Sequence, residues 1–197
     1  MFISIEGIDG CGKSTIANKL YNYLTKKGKD CILTREPGGT KVSDKCRDIL
    51  LNSDYLDNRA EIMLFLASRA QHVAELIIPS LKAGKWIITD RYADSFFAYQ
   101  SFGRENNIDF ETLKKINDFA CYNVYPNKTI YLSIDVETSL ARQTDPDRIS
   151  KTQGDFFNKI KQGFDELCEI FPERYIKIDA TQNIDTVFNS VIKKLNV

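Results

Sequence analysis

Five short apolar runs alternate with longer amphipathic stretches along the chain. The runs cover Phe2–Glu6, Cys31–Thr34, Trp86–Asp90, Thr129–Ile134 and Tyr175–Ile178. Continuous apolar strands that alternate with helical patterns indicate a parallel sheet covered on both faces. The pattern therefore predicts an α/β protein with a five-stranded parallel sheet between two layers of helices.

The turn after the first predicted strand fits the phosphate-binding pattern G-x-x-x-x-G-K-[ST]. An amphipathic helix is predicted from Thr15 to Lys27, so a strand, a glycine-rich turn and a helix N-terminus point backbone N–H groups into one small space. Lys13 is predicted to reach the β- and γ-phosphates of ATP, and the Ser14 hydroxyl to ligate Mg²⁺. A chance match is disfavoured by the flanking strand and helix, which predict a P-loop NTPase-type three-layer sandwich. The predicted ATP-binding residues are Gly7, Ile8, Asp9, Gly10, Cys11, Gly12, Lys13, Ser14 and Thr15.

Charged residues follow the second and third predicted strands. Because ligands of parallel sheets bind beyond the carboxyl ends of the strands, these positions are candidates for a site. Arg35 and Arg91 carry planar guanidinium groups suited to bidentate phosphate contact. Asp90 is predicted to hold Mg²⁺ beside Ser14, the alternative being an aspartate that caps the next helix.

A long helical pattern from Asn58 to Leu81 places Phe65 and Arg69 on one face. This pair is suited to stacking on a flat base and donating to its carbonyl group, although Phe65 is also typical of a core residue. His72, the only histidine, is predicted to be structural or at the surface. The polar segment 142–148 is interpreted either as a lid that brings an arginine over the phosphates or as an ordinary surface loop.

Composition narrows the class of protein. The 197 residues suit one α/β domain, and the 27 basic and 27 acidic residues give zero net charge, which disfavours a nucleic-acid partner. Five scattered cysteines indicate reduced thiols. No uninterrupted apolar run reaches the length of a membrane span, and the N-terminus starts directly with strand residues. We therefore expect a cytoplasmic protein without a membrane partner.

Together these motifs resemble the thymidylate kinase family over nearly the whole chain. The resemblance is carried by the P-loop with Ile5 and Glu6, by Thr34 to Thr40, by Phe65 to Arg69, by Asp90 to Gln100, and by Asp147-Arg148-Ile149 at the end of a bacterial lid. It implies a single domain over residues 1–197 with a short lid around 142–152. It also implies transfer of a phosphoryl group from ATP to dTMP with Mg²⁺, which serves dTTP biosynthesis.

The resemblance also implies residue roles. Asp9 contacts the 3′-hydroxyl group of the deoxyribose and helps to organise Mg²⁺. Arg35 and Arg91 hold the dTMP phosphate, Phe65 stacks on thymine, and Arg69 donates to its O4. The remaining implied contacts are Tyr99, which excludes ribonucleotides, and Ser95 and Gln100 on the substrate side. Family members are typically homodimers, for which the apolar segment Ile62 to Ile78 is a candidate surface, although it could equally be buried in the monomer.

The chain departs from the family pattern inside the P-loop. Eukaryotic members place an arginine at the position that is Gly10 here, whereas bacterial members supply arginines from the lid. We therefore expect Arg148 to stabilise the transferred phosphoryl group, with Arg142 supporting it. Together with Lys13, Asp9 and Arg91, these are the predicted catalytic residues. Cys11 replaces a small apolar residue and is interpreted as filling space rather than as a reactive thiol.

Three alternatives stay open at this stage. A deoxynucleoside kinase or another nucleoside monophosphate kinase has a similar architecture, but a nucleoside acceptor would leave Arg35 and Arg91 without their best ligand. A GTP-binding switch needs an Asn-Lys-x-Asp element, and Asn127-Lys128-Thr129-Ile130 lacks the aspartate. A non-enzymatic nucleotide-binding module would explain the P-loop but leave the substrate-side motifs without a role.

Overall fold

The computed structural model describes residues 1–104, 108–142 and 155–197. Its sheet has five strands in the order β2-β3-β1-β4-β5, and all neighbouring pairs are parallel. The predicted fold class is thereby confirmed, with strand ends that differ from the sequence pattern by at most one residue. The strands are β1 (Phe2–Glu6), β2 (Cys31–Arg35), β3 (Trp86–Asp90), β4 (Lys128–Ser133) and β5 (Tyr175–Asp179).

The central strand explains where a ligand can bind. Every residue of β1 is buried, so side chains on both faces of the sheet are covered. The chain leaves β1 between β3 on one side and β4 on the other, which makes the carboxyl end of β1 the switch point of the sheet. At this end Ile5 lies beside Asp90 and Glu6 beside Tyr131.

Nine α-helical segments surround the sheet within the described ranges. The first begins at Lys13, two residues before the predicted start, because Gly12 adopts a φ of 93° and turns the chain directly into the helix. It ends at Lys26, one residue before the predicted end. The helices are α1 (Lys13–Lys26), α2 (Lys41–Asn52), α3 (Asn58–His72), α4 (Ile78–Lys82), α5 (Ala93–Phe97), α6 (Phe110–Ala120), α7 (Val136–Ala141), α8 (Phe156–Ile170) and α9 (Ile184–Leu195).

Two π-helical stretches interrupt these helices, which the sequence pattern did not predict. Val73–Ile77 joins α3 to α4, and Ala98–Gly103 continues α5. The resulting helix from Asn58 to Lys82 is long and apolar enough to cross a membrane by length and composition alone. Its polar side chains Glu61, Arg69 and His72 are buried and hydrogen-bonded within the protein.

The second π-helical stretch is packed tightly against α8. A Cβ atom at Gly163 would lie 2.6 Å from the ring of Phe102, and one at Gly103 would lie 2.8 Å from the ring of Phe156. Two glycines therefore allow the two backbones to approach closely. Through this contact, the segment that carries Tyr99 and Gln100 packs against part of the hydrophobic core.

Candidate active site

A cavity of about 650 Å³ lies at the carboxyl edge of the sheet and contains most of the predicted site residues. The predicted residues outside its lining are the buried P-loop residues Gly7, Ile8 and Cys11, and Arg148, which lies outside the described residues. The P-loop, three strand ends and α3 thus converge on one space. The predicted residues in the lining are Asp9, Gly10, Gly12, Lys13, Ser14, Thr15, Arg35, Phe65, Arg69, Asp90, Arg91, Ser95, Tyr99, Gln100 and Arg142.

Lys13 lies along the P-loop at one end of this cavity. Its Nζ atom donates to the carbonyl oxygen of Ile8 at 2.8 Å and lies 3.6 Å from the carboxylate of Asp9. Gly10 and Gly12 have φ values of 83° and 93°, which residues with a Cβ atom rarely adopt. The glycines therefore give the loop its shape, and the lysine supplies a positive charge within it.

Cys11 is buried beneath the same loop. Burial raises the pKa of its thiol, and the positive charge of Lys13, whose Nζ lies 3.9 Å from Sγ, does not offset that effect. The thiolate form that would react with oxidants or alkylating reagents is therefore disfavoured. This agrees with the interpretation of Cys11 as a space-filling residue.

Oxygen atoms suited to Mg²⁺ lie beside the P-loop. The Ser14 hydroxyl donates to a carboxylate oxygen of Asp90, and Asp9 lines the same cavity. Mg²⁺ prefers a small number of hard oxygen ligands completed by phosphates and water, so this donor set fits the ion. Within the described ranges no group of three or more His, Cys, Asp or Glu residues forms a closed metal site. An ion here would thus depend on the bound nucleotide for its remaining ligands.

Arg91 connects the P-loop to the opposite wall of the cavity. Its Nη1 atom donates to the Gly7 carbonyl at 3.0 Å and to the Ser95 hydroxyl at 2.7 Å. Its Nη2 atom donates to the carboxylate of Asp9 and, at 3.2 Å, to the hydroxyl of Tyr99. Burial alone would lower the pKa of Arg91, but Tyr99, Asp9 and two further acids outweigh burial and raise it well above its ordinary value. Arg91 is therefore a fixed positive charge.

A buried acid that the sequence analysis missed lies behind Arg91. Glu6 accepts from the Ser95 hydroxyl at 2.5 Å and from the Tyr92 backbone N–H at 2.7 Å. Burial, assisted by the nearby charge of Asp94, raises the pKa of Glu6 to about 8. Glu6 thus fixes the hydroxyl group that orients the Arg91 guanidinium.

The other end of the cavity holds Phe65 and Arg69, as the helical spacing predicted. The ring of Phe65 is half-buried and lies edge-on to Phe96, with 6.4 Å between ring centroids. Arg69 is 2% exposed and donates through Nε to Glu36 at 2.8 Å and through Nη1 to Asn117 at 2.6 Å. An arginine held from two sides presents its remaining N–H groups in a fixed direction.

His72 lies next to this pair, with a structural role as expected. Its Nδ1 atom is 2.9 Å from Glu36, and its Nε2 atom is 2.8 Å from the Thr34 hydroxyl. A Cβ atom at Gly39 would come within 2.7 Å of the imidazole, so a glycine is required for the loop after β2 to pass over the ring. His72 therefore ties α3 to that loop.

The sequence analysis missed several residues that line the cavity. Two of them, Arg47 and Leu51, could have been found from their helical spacing on α2. Arg47 donates to the Pro37 carbonyl at 3.0 Å, and Leu51 follows it by one helical turn on the same face of α2. Arg35 is 53% exposed and pairs with Asp44 at 3.2 Å. The cavity wall therefore contains two arginines from the β2–α2 region where the sequence analysis named one. The remaining missed residues are Glu36, Pro37, Tyr92 and Phe96.

Comparisons with known proteins agree with this arrangement. A family model for thymidylate kinase matches residues 5–191. The thymidylate kinase of Thermosipho africanus is 43% identical over 200 residues, which cover 98% of this chain and 98% of that protein. The thymidylate kinase of Fervidobacterium nodosum is 42% identical over 198 residues, covering 100% and 98%. The chain belongs to the thymidylate kinase family. A crystal structure of thymidylate kinase from Ehrlichia chaffeensis matches the fold with a TM-score of 0.81 at 33% identity, covering 99% of this chain and 98% of that one.

Family membership establishes the reaction class, which is phosphorylation of dTMP by a nucleotide kinase. It sets aside the GTP-binding switch and the non-enzymatic nucleotide-binding module. Use of ATP with Mg²⁺ is general in this family, and the oxygen ligands beside the P-loop suit that ion.

Of the two predicted lid arginines, Arg142 lies within the described residues and Arg148 does not. Arg142 lines the cavity, and its guanidinium donates to the carbonyl oxygens of Ala180 at 3.0 Å and Thr181 at 3.1 Å. Residues 143–154, which include Arg148 and most of the expected lid, lie outside the described residues. The catalytic role of Arg148 therefore stays a prediction.

Proposed function

We propose that ATP binds at the P-loop end of the cavity, that dTMP binds at the end lined by Phe65 and Arg69, and that the phosphoryl group passes directly between them. The observation that carries this proposal is the position of Arg91. One guanidinium contacts the P-loop through Gly7 and Asp9 and the opposite wall through Ser95 and Tyr99. A cation in that place faces both substrates at once.

The donor phosphates are assigned to the P-loop residues from Gly7 to Thr15. Backbone N–H groups and the N-terminus of α1 attract the phosphates, and Lys13 neutralises the charge on the β- and γ-groups. Mg²⁺ is assigned to Ser14 and Asp90, and Asp9 in the same cavity is assigned to help organise it. When bound, the ion supplies charge neutralisation on the transferred phosphoryl group.

The acceptor phosphate is assigned to Arg35 and Arg91. Arg91 is 16% exposed and oriented by four contacts, whereas Arg35 is half exposed and can move with its surface partner Asp44. Holding the acceptor oxygen in line with the γ-phosphate is most of what phosphoryl transfer requires from a protein. No covalent intermediate is needed, because both substrates are present together.

The sugar is assigned to the space beside Asp9 and Tyr99. The Tyr99 hydroxyl lies 3.2 Å from the Asp9 carboxylate, and burial, with Asp9 nearby, raises the pKa of Tyr99 well above its ordinary value. A neutral, fixed phenol ring leaves little room for a 2′-hydroxyl group. A carboxylate oxygen accepts more than one hydrogen bond, so Asp9 is also assigned as an acceptor for the 3′-hydroxyl group.

The base is assigned to Phe65, which stacks on it, and to Arg69, which donates to O4. An arginine only donates, so the amino group of cytosine at the same position would leave one buried donor without its partner. The 5-methyl group of thymine needs only an apolar recess. Discrimination against dUMP should therefore be weaker than discrimination against dCMP.

We also propose that the protein is a cytoplasmic homodimer. The five cysteines, all inside the described ranges, are free thiols, as expected in a reducing compartment. The candidate dimer segment from Ile62 to Ile78 is partly buried in the monomer, since Ile62, Val73 and Ile77 are at most 1% exposed. Met63 on α3 and Phe119 on the neighbouring α6, 58% and 88% exposed, are the better candidates for the interface. Sedimentation of wild type and Phe119→Ser would test this.

The reaction is tested by ADP release from ATP and Mg²⁺ with dTMP, dUMP, dCMP, dGMP, dAMP and thymidine as acceptors. We expect a strong preference for dTMP that Arg69→Ala abolishes. Arg59→Ala is the matched control, because Arg59 lies on the same helix but is exposed. Activity on thymidine but not on dTMP would instead identify a nucleoside kinase.

A further inference from the structure

Gln100 reaches the base end of the cavity from the π-helical stretch after α5. The residue is 1% exposed and lines the same cavity as Phe65 and Arg69. Its side-chain Nε2 atom donates to Oε1 of Glu61 at 2.8 Å. A carboxylate accepts and cannot donate, so the amide nitrogen must face Glu61 and the amide oxygen must face away from it.

Glu61 is itself held firmly. It is 1% exposed, and Arg104 donates to both of its carboxylate oxygens, through Nε and Nη2, at 3.2 Å each. The Arg104 guanidinium lies over the ring of Phe156, 5.0 Å from its centroid. This paired arrangement keeps Glu61 in one orientation, with both of its carboxylate oxygens accepting hydrogen bonds.

The position of Glu61 on α3 relates it to the base-binding residues. Glu61, Phe65 and Arg69 follow one another at intervals of four residues, so the same helix face carries all three. Phe65 and Arg69 are assigned to the base directly. Glu61 lies one turn earlier and contacts Gln100, which lines the same cavity as those two residues.

We propose that Glu61 is a positioning residue that sets base selectivity by fixing the amide of Gln100. This inference rests on the proposed function. With its nitrogen held by Glu61, Gln100 offers a carbonyl acceptor to the N3–H group of thymine, while Arg69 offers a donor to O4. Cytosine has an acceptor at N3 and a donor at its 4-amino group, so it mismatches the site at both positions.

The decisive variant is Glu61→Gln, which has nearly the same shape but can donate as well as accept. It removes the constraint on the Gln100 amide. We expect the ratio of kcat/KM for dTMP to that for dCMP to fall about tenfold or more, mainly through a higher KM for dTMP. The affinity difference between dTMP and its N3-methyl derivative, which lacks the N3–H donor, should shrink in the same variant.

Glu75→Gln is the matched control. Glu75 also accepts from a glutamine amide, that of Gln71 at 2.7 Å, but on the exposed side of the continuous helix from Asn58 to Lys82. Its dTMP to dCMP ratio should equal that of the wild type. The variant Gln100→Met has no amide to orient. Adding Glu61→Gln to it should therefore leave its dTMP to dCMP ratio unchanged.

The possible results separate this inference from the proposed function. A wild-type protein without dTMP-dependent ADP release would overturn the proposed function itself. A folded Glu61→Gln variant that loses activity on dTMP and dCMP by the same factor would leave the kinase assignment intact and overturn the role of Glu61. If Glu61→Gln does not fold, the ratio is measured in Arg104→Gln, which loosens Glu61 without removing it. A fall in the ratio supports the inference, and an unchanged ratio overturns it.

Discussion

The Arg69 guanidinium and the Glu36 carboxylate form an ion pair at 2.7 Å, and the two side chains are only 2% and 4% exposed. Their positions are 33 residues apart in sequence, on α3 and in the loop after β2. The pair thus joins the residue assigned to the base with the loop that follows Arg35, which is assigned to the acceptor phosphate. If both assignments hold, the pair links the two ends of the dTMP site.

Replacing Glu36 should be far more destabilising than replacing a surface acid. Glu36→Gln leaves Arg69 buried without a counter-ion, which we expect to lower the free energy of unfolding by about 3–5 kcal/mol. Asp185→Asn, which breaks the exposed pair with Lys19 at 2.8 Å, should cost less than about 1 kcal/mol. Urea denaturation of both variants checks the difference. Equal effects would show that the buried pair contributes no more than a surface pair.

The pH dependence of that contribution has a definite sign. Burial alone would raise the pKa of Glu36, but Arg69 and His72 outweigh burial and hold it below its ordinary value. The stabilisation is therefore present above the unfolded-state pKa and is lost as the pH falls through the lowered folded-state value. The gap in stability between wild type and Glu36→Gln should narrow in acid.

Glu6 should show the opposite pH dependence. Its pKa is raised from 4.5 to about 8 in the folded protein, chiefly by burial and next by Asp94. Such a group contributes stability that is fully present below its unfolded pKa and is lost as the pH rises through its folded pKa. Wild type should therefore lose stability relative to Glu6→Gln, by roughly a few kcal/mol, between pH 4.5 and pH 8. Parallel stability curves for the two proteins across this range would contradict the raised pKa.

Arg148 and Arg142 should differ in their effects on turnover. Residues between Gly7 and Gly12 carry no positive charge, and the Arg142 guanidinium is bonded to two carbonyl groups of the loop after β5. Arg148→Ala should lower kcat about 100-fold with little change in the KM for dTMP, whereas Arg142→Ala should have a smaller effect on kcat. Steady-state kinetics of the two variants decides the assignment. A near-normal kcat in Arg148→Ala would refute it.

Cys11 should react slowly with thiol reagents even without nucleotide. It is 3% exposed, whereas Cys31 and Cys46 are half-buried. Burial raises the pKa of all three thiols, so exposure decides the order of reaction. Mass spectrometry after brief treatment with iodoacetamide should find Cys31 and Cys46 modified before Cys11. Rapid modification at Cys11 that ATP prevents would show instead that the thiol is accessible in the empty P-loop.

The sequence predicted the fold and most of the cavity because those signals are local. The P-loop is a contiguous motif, strand ends mark one edge of a parallel sheet, and Phe65 and Arg69 are related by helical spacing. Each of these predictions needs only short-range periodicity and one rule about where ligands bind. The strand boundaries were accordingly correct to within one residue.

The buried acids were not predictable by the same means. Glu6, Glu36 and Glu61 each have partners more than 30 residues away, at Ser95, Arg69 and Arg104. Nothing in their local sequence distinguishes a carboxylate that is buried and paired from one in solvent. The π-helical stretch from Ala98 to Gly103 was not predicted for a related reason, since it packs against α8, whose residues lie more than 50 positions away in sequence.

Arg91 has a backbone conformation that is unfavourable for its residue type. Its φ of 68° lies in the left-handed region, where glycine and asparagine are tolerated far better than arginine. A search that ranks substitutions only by backbone strain would choose one of those residues and remove the cation that is proposed to face both substrates. Relief of the unfavourable conformation would thus cost the proposed phosphate contact, so designs for thermal stability should leave position 91 unchanged.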